Sequence, residues 1–235
     1  MDASILTSGA SISNIILMKI NLKNIILPFF ILLSIPSHSK VIYVNGNIVG
    51  GNNDGTSWQD SYSNFQNAIG EAVYGDSIWI AEGTYFPTTD TDQDISFELK
   101  NGVKWFGGFQ GNETDLSQRD YELYPTILSG DIGVQGDSLD NSYHVIYTIG
   151  SDTTTILDGF LIKHGRAIDP ITPTGSPRNF GGGLLIDAMG NDSIAELKII
   201  NCTFQNNMAL YGGGISFGKG YTIYIIKPLI RNCNY

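Results

Sequence analysis

Phe180-Gly-Gly-Gly-Leu-Leu-Ile186 returns thirty-one residues later as Tyr211-Gly-Gly-Gly-Ile-Ser-Phe217, and Ile199-Ile-Asn-Cys202 returns at the same offset as Ile230-Arg-Asn-Cys233. Two unrelated motifs sharing one period mean that a structural unit is stacked on itself, and stacking constrains the whole architecture. A looser copy lies upstream. Shifted by forty-two, Leu157 falls on Ile199, Phe160 on Cys202, Ile162 on Phe204, Gly165 on Asn207 and Ala167 on Ala209. The excess over the later period is the Pro/Gly/Thr-rich stretch from Ile168 to Arg178, which reads as one inserted loop.

The composition agrees with short strands and tight turns. The 235 residues are 42% hydrophobic but only 15% charged, and 28 of them are Gly. The net charge of -10, with no basic patch, argues against nucleic acid as a partner and disfavours anionic polymers unless a cation bridges them. Met18-Lys-Ile-Asn-Leu-Lys23 precedes the apolar run Ile25 to Ile35, which exits through Pro36-Ser-His-Ser39. That is the pattern of a secretory signal peptide. A membrane span needs about 20 apolar residues, so the run is too short to be one and no span is expected in the mature chain. Residues 1–39 are therefore read as an over-extended start plus a leader, with Met18 the true start. Residues 40–235 are read as one exported domain that stops before its natural C-terminus.

Val41 to Val44 reads as a strand. Phe65, Ala68, Ile69 and Ala72 then recur at helical spacing, the stripe of one amphipathic helix between Ser61 and Val73. From Ser77 onward only short apolar runs follow, among them Ser77 to Ala81, Gly83 to Tyr85, Val103 to Phe106, Thr126 to Ser129 and Phe160 to Ile162. Each is bounded by Gly, Asn or Asp. Such runs, repeating over a long period without intervening helices, predict an all-β fold: a right-handed parallel β-helix, a solenoid whose N-terminal end the short helix caps. On this reading Gly181, Gly182, Gly183 and Gly212, Gly213, Gly214 form corners of successive coils. Asn201 and Asn232 would stack as an amide ladder. Cys202 and Cys233 would occupy equivalent positions, first as a stacked pair of small core residues and alternatively as a disulfide, which export permits.

The chain from 41 to 233 resembles secreted bacterial right-handed β-helix proteins of the pectin-lyase-like superfamily. Asp54-Gly-Thr-Ser-Trp58, Gly75-Asp-Ser-Ile-Trp-Ile-Ala81, Gly83-Thr-Tyr85, Gly107-Gly-Phe109, Thr126-Ile-Leu-Ser-Gly-Asp131 and Leu157-Asp-Gly-Phe160 carry the likeness in order. Phe204 to Asn207 followed by Gly213-Gly-Ile215 is similar to the repeats of chlamydial polymorphic outer-membrane proteins. The resemblance implies a secreted, outer-membrane or cell-surface setting and an adhesin-like role.

Fold alone does not decide chemistry. The bases Lys104, Arg119, Lys163, Arg166 and Arg178 stand in no motif with alternating carboxylates, as a calcium-assisted polysaccharide lyase would need. Asp131, Asp137 and Asp140 share one loop whose geometry spacing cannot fix. Asp90, Asp92 and Asp94 alternate like the first ligands of a calcium loop, but Ile95 stands where Gly is required and Asn101 where a bidentate Glu belongs. Calcium is thus the one cofactor raised, and these three its only candidate ligands. Trp58, Trp79, Trp105, Tyr121 and Tyr124 either stack on sugars or fill core and cap. His144, next to Tyr143, reads as a packed or edge residue. No convergent catalytic set emerges. The expectation is a surface scaffold that binds glycans or surface proteins through its loops, especially Ile168 to Arg178, and its coil faces, with a pectate-type lyase as the alternative.

Overall fold

A computed structural model describes residues 39–235 apart from 174, 188–195, 218–221, 227–228, 232 and 234–235; of 222–226 it describes the backbone. The leader reading of residues 1–38 and the proposed ladder residue Asn232 lie outside the described residues.

After β1 (Val41–Val44) and the one α-helix among the described residues, α1 (Phe65–Glu71), the chain runs in rounds. The first is β2 (Ser77–Ala81), β3 (Gly83–Tyr85) and β4 (Phe97–Glu98). The second is β5 (Lys104–Phe109), β6 (Thr126–Ser129) and β7 (Ile146–Ile149). The third is β8 (Ile156–Asp158), β9 (Phe160–Lys163), β10 (Arg166–Ala167) and β11 (Leu184–Asp187). The fourth repeats it as β12 (Glu196–Ile200), β13 (Thr203–Gln205), β14 (Met208–Ala209) and β15 (Ile215–Phe217), and β16 (Thr222–Ile226) and β17 (Leu229–Arg231) follow.

Corresponding strands lie side by side. The first sheet runs β1-β2-β5-β8-β12-β16, the second β3-β6-β9-β13-β17, the third β4-β7-β11-β15, and β10 pairs with β14. Every strand pair among the described residues is parallel. Parallel pairing ordinarily needs a helical crossover. Here the return path is the rest of the round, so the described residues are mostly β with one α-helix.

The register between the third and fourth rounds is the forty-two-residue shift seen in the sequence: Leu157 opposes Ile199, Ile162 opposes Phe204 and Ala167 opposes Ala209. At the glycine tracts it becomes thirty-one, with Leu184 opposite Ile215. It then shortens to twenty-six, Glu196 opposing Thr222 and Thr203 opposing Leu229. The cause is a shorter connection, since Leu184 to Glu196 is twelve residues and Ile215 to Thr222 only seven. This corrects the pairing of Cys202 with Cys233. The Cys202 carbonyl accepts from Leu229 N–H, whereas Cys233 Sγ lies 3.8 Å from Asn207 Nδ2. Both cysteines are free thiols.

Left-handed residues turn the chain at matching places. Between the first and second sheets stand Gly159 (φ 86°) and Asn201 (φ 49°), and after the second sheet His164 (φ 65°) and Asn206 (φ 55°). Asn is the side-chain-bearing residue that best tolerates this region. Asn201 Nδ2 donates to Asp158 Oδ1 at 2.9 Å, so its side-chain partner on the preceding round is a carboxylate rather than another amide.

Alternate residues of the three sheets point inward into one core. Ile78, Ile80, Trp105, Leu157, Leu197 and Ile199 come from the first sheet, Leu128, Ile162 and Phe204 from the second, and Phe97, Ile146, Leu184 and Ile186 from the third. All are essentially inaccessible, and each such side chain stabilises by about 1.5–3 kcal/mol. At the start of the core sits α1. Asn64 caps it by accepting from Gln66 N–H, and Phe65 packs edge-on against Trp105, the ring centres 4.8 Å apart, and at a tilt of 37° against Phe97 at 5.0 Å. A second apolar cluster, Trp58, Trp79, Ala81, Phe106 and Phe109, covers the outer face of the first sheet. Trp58 Nε1 donates to the Glu113 carbonyl. All three tryptophans are therefore buried, which removes them from any sugar-stacking face.

Candidate functional site

The outward positions of the third sheet floor a cavity of about 850 Å3. Glu98 on β4 and Tyr147 on β7 are direct cross-strand neighbours there. One strand further, Asp187 on β11 accepts a hydrogen bond from Tyr147 Oη at 3.0 Å. The strand alternation that sends Phe97, Ile146 and Ile186 into the core sends these three polar side chains outward. Three walls rise around them: the flank of α1 at Gln66, Ile69 and Gly70, the connection before β4 at Asp94 to Ser96, and the inserted loop at Ser176 to Arg178. A smaller cavity of about 220 Å3 shares Pro177 and Asp187 with the first and carries the groove on to Ser216 and Phe217 of β15. The whole groove crosses four strands of the sheet.

The loop from Ile168 to Arg178 is held to this wall by charge. Arg178 Nε donates to Asp94 Oδ1 at 2.8 Å, its Nη2 pairs with Asp94 Oδ2, and its Nη1 reaches Asp169 Oδ2 at 3.2 Å. Planar guanidinium geometry suits it to bridging two carboxylates in this way. The neck of the loop is tight, because Gly165 and Gly182 approach so closely that a β-carbon on Gly165 would sit 1.7 Å from the Gly182 carbonyl oxygen. At the opposite wall Lys100 Nζ donates to the Gly70 and Ala72 carbonyls at 3.0 and 3.2 Å, satisfying the C-terminal end of α1.

His144 lies beneath Tyr147, the rings roughly parallel with centres 6.3 Å apart. Its Nδ1 is 3.1 Å from the Gly181 carbonyl, an acceptor only, so Nδ1 carries the proton and Nε2 the lone pair. Burial pushes its pKa down to about 4, and the ring is neutral at pH 7.

The carboxylates singled out from the sequence have other work. Asp90 Oδ1 and Asp92 Oδ1 accept from the N–H two residues on, at 2.9 and 3.1 Å, and Asp94 holds Arg178. Asp131 accepts from Gly136 N–H, Asp137 from Leu139 N–H and Asp140 from Val134 N–H, so each shapes its own loop. Among the described residues no three His, Cys, Asp or Glu side chains gather so as to hold a metal ion. Gly181 and Gly212 share left-handed φ values of 60° and 64°, and Gly183 N–H donates to the Gly213 carbonyl, with Gly214 accepting from Leu184. Glu98, Lys100, Tyr147 and Asp187 were not singled out in the sequence because they lie far apart along the chain. Their one shared signal is an outward place on or beside a strand of a single sheet.

No family model, curated protein or solved structure matches this chain. No helix among the described residues is long and apolar enough to cross a membrane.

Proposed function

We propose that residues 40–235 form a right-handed parallel β-helix that is exported to the cell surface or secreted and works as an adhesin-like scaffold, binding glycans through the groove over the third sheet. From β2 on, three sheets are visited in turn, with the β10–β14 pair between the second and third in the later rounds, and the pairs among the described residues are parallel; this supports the coil. The right hand follows from parallel crossovers being right-handed in about 98% of cases. The likeness of its motifs to pectin-lyase-like and chlamydial outer-membrane repeats supports the setting.

One observation carries the binding role. The groove is open, of ligand size, floored by Tyr147 and polar side chains, and walled by a loop that two carboxylates clamp. The test is a glycan array probed with the full chain and with Tyr147→Ala. Retention of specific glycans by the wild type and their loss in the variant supports the reading; no retained glycan sinks it.

A catalytic reading has one observation in its favour: neutral His144 and the hydrogen-bonded Tyr147–Asp187 pair meet at the groove floor. Incubation with acidic polysaccharides and calcium, following the absorbance of unsaturated product, separates the two. Product release that Tyr147→Phe abolishes favours a lyase over an adhesin.

A further inference from the structure

We infer that the groove selects an amine-bearing saccharide chain over a uronate, with Glu98 as the residue that reads the amine; the inference rests on the glycan-binding role proposed above.

The argument begins with the cations. The groove is lined by Lys100 and Arg178, either of which would be the natural partner of a uronate carboxylate. Both are already engaged. Arg178 spends Nε, Nη1 and Nη2 on Asp94 and Asp169, and Lys100 spends two of its N–H bonds on the carbonyls ending α1. Each keeps an N–H to spare, but the Arg178 charge is already shared between two carboxylates, and turning Lys100 fully to an incoming carboxylate would uncap the helix. Glu98 is the opposite case. It stands exposed on the groove floor beside Tyr147 and has no ion-pair partner among the described residues. Buried His144 is neutral at pH 7 and adds no positive charge. An ammonium group over Glu98 gains a charge-assisted hydrogen bond, and the chain's net charge of -10 draws cations in and holds uronates off.

A saccharide suits the geometry better than a peptide. An extended peptide gains affinity by adding to a sheet edge, where unpaired N–H and C=O groups await it. This groove lies on a sheet face, whose backbone is bonded strand to strand. It offers an aromatic ring, carboxylates and the hydroxyls of Ser96 and Ser176, partners for ring faces, amines and hydroxyls. Its course across four strands, about 14 Å at the usual strand spacing, suits an oligomer rather than a single sugar.

The test is calorimetry at low salt with the full chain and three trimers: glucosamine, N-acetylglucosamine and galacturonic acid. The expected order is glucosamine tightest, N-acetylglucosamine weaker and galacturonate undetected. Glu98→Gln should weaken the glucosamine trimer roughly fivefold, the size of one well-placed surface ion pair, and leave the N-acetylated trimer unchanged. Glu122→Gln, an exposed carboxylate beside the second sheet, should change neither. An equal loss in Glu122→Gln would mean bulk attraction only and overturn the assignment to Glu98. Galacturonate binding as tightly as glucosamine would overturn the selectivity while leaving the glycan-binding role standing. A lysine-rich peptide binding more tightly than any trimer would overturn the saccharide itself, and no binding by any probe would overturn the amine selectivity, the glycan array alone deciding the glycan-binding role.

Discussion

Gly165→Ala is the sharpest test of how the inserted loop is seated. Gly165, just before β10, and Gly182, just before β11, flank the inserted loop and meet at its neck. A β-carbon on Gly165 would stand 1.7 Å from the Gly182 carbonyl oxygen and 3.0 Å from Val145 Cγ2. Ordinary contact begins near 3.4 Å, so the two backbones must part by about 1.7 Å. That carbonyl accepts from Val145 N–H at 3.0 Å, and Gly165 itself accepts from Met208 N–H and donates to Asn207 Oδ1. Overpacking alone costs about 1–3 kcal/mol, and each buried bond stretched beyond use adds about 1 kcal/mol. A loss of about 3–5 kcal/mol is expected. With a urea slope of about 2 kcal/mol/M, the midpoint should fall by about 1.5–2.5 M. Gly70→Ala is the internal control. Gly70 lies in α1 with open space where its β-carbon would go, and Ala there should stabilise by about 0.5–1 kcal/mol. A Gly165→Ala midpoint within 0.3 M of wild type would refute the reasoning.

Asp158→Ala strands the partly buried Arg119 guanidinium and removes the acceptor of Asn201; it should cost about 3–5 kcal/mol by urea unfolding, and Arg119→Met in the same chain should recover part of the loss. The pKa of His144 is depressed when folded, so the unfolded chain takes up its proton first. Its stabilising contribution is complete above about pH 6.5, declines as pH falls towards about 4, and amounts to about 3 kcal/mol. His144→Gln should flatten that part of the pH profile, and an unchanged profile would contradict the burial argument. A thiol reagent should find two titratable cysteines in the unfolded chain. In the folded chain Cys202 should stay silent, because it is 1% exposed and burial pushes its pKa up to about 12, whereas the half-buried Cys233 should react sooner. Equal native reactivity would count against the placement of Cys202.

Much of the architecture is readable from spacing. The forty-two-residue shift predicts the ladder of Leu157 with Ile199 and Ile162 with Phe204, because side chains that point into one core must recur in register. The helix is legible for the same reason: Phe65, Ala68 and Ile69 share a face, and that face is the buried one. What spacing could not reveal was a length change between two motifs. Ile199 to Cys202 and Ile230 to Cys233 look alike, yet the shorter connection after Phe217 slides the later copy along, so that Ile230 opposes Phe204. Tryptophan exposure was equally hidden, since burial of Trp58 and Trp79 depends on Phe109 and on the loop that brings Glu113 over them. The groove is the extreme case. Glu98, Tyr147 and Asp187 sit on three different rounds, and only the winding of the chain brings them onto one face.

Disulfide mapping tests the winding most directly. Ile127, Leu161 and Thr203 stand in line across β6, β9 and β13 on three successive rounds, all partly exposed. In a chain carrying Cys202→Ala and Cys233→Ser, cysteines placed at 127 and 161, or at 161 and 203, should lie about 4.8 Å apart and link under mild oxidation. Cysteines at 127 and 203, two strands apart, should not. Ready linkage of that outer pair, or none in either adjacent pair, would mean that the rounds do not stack in this order.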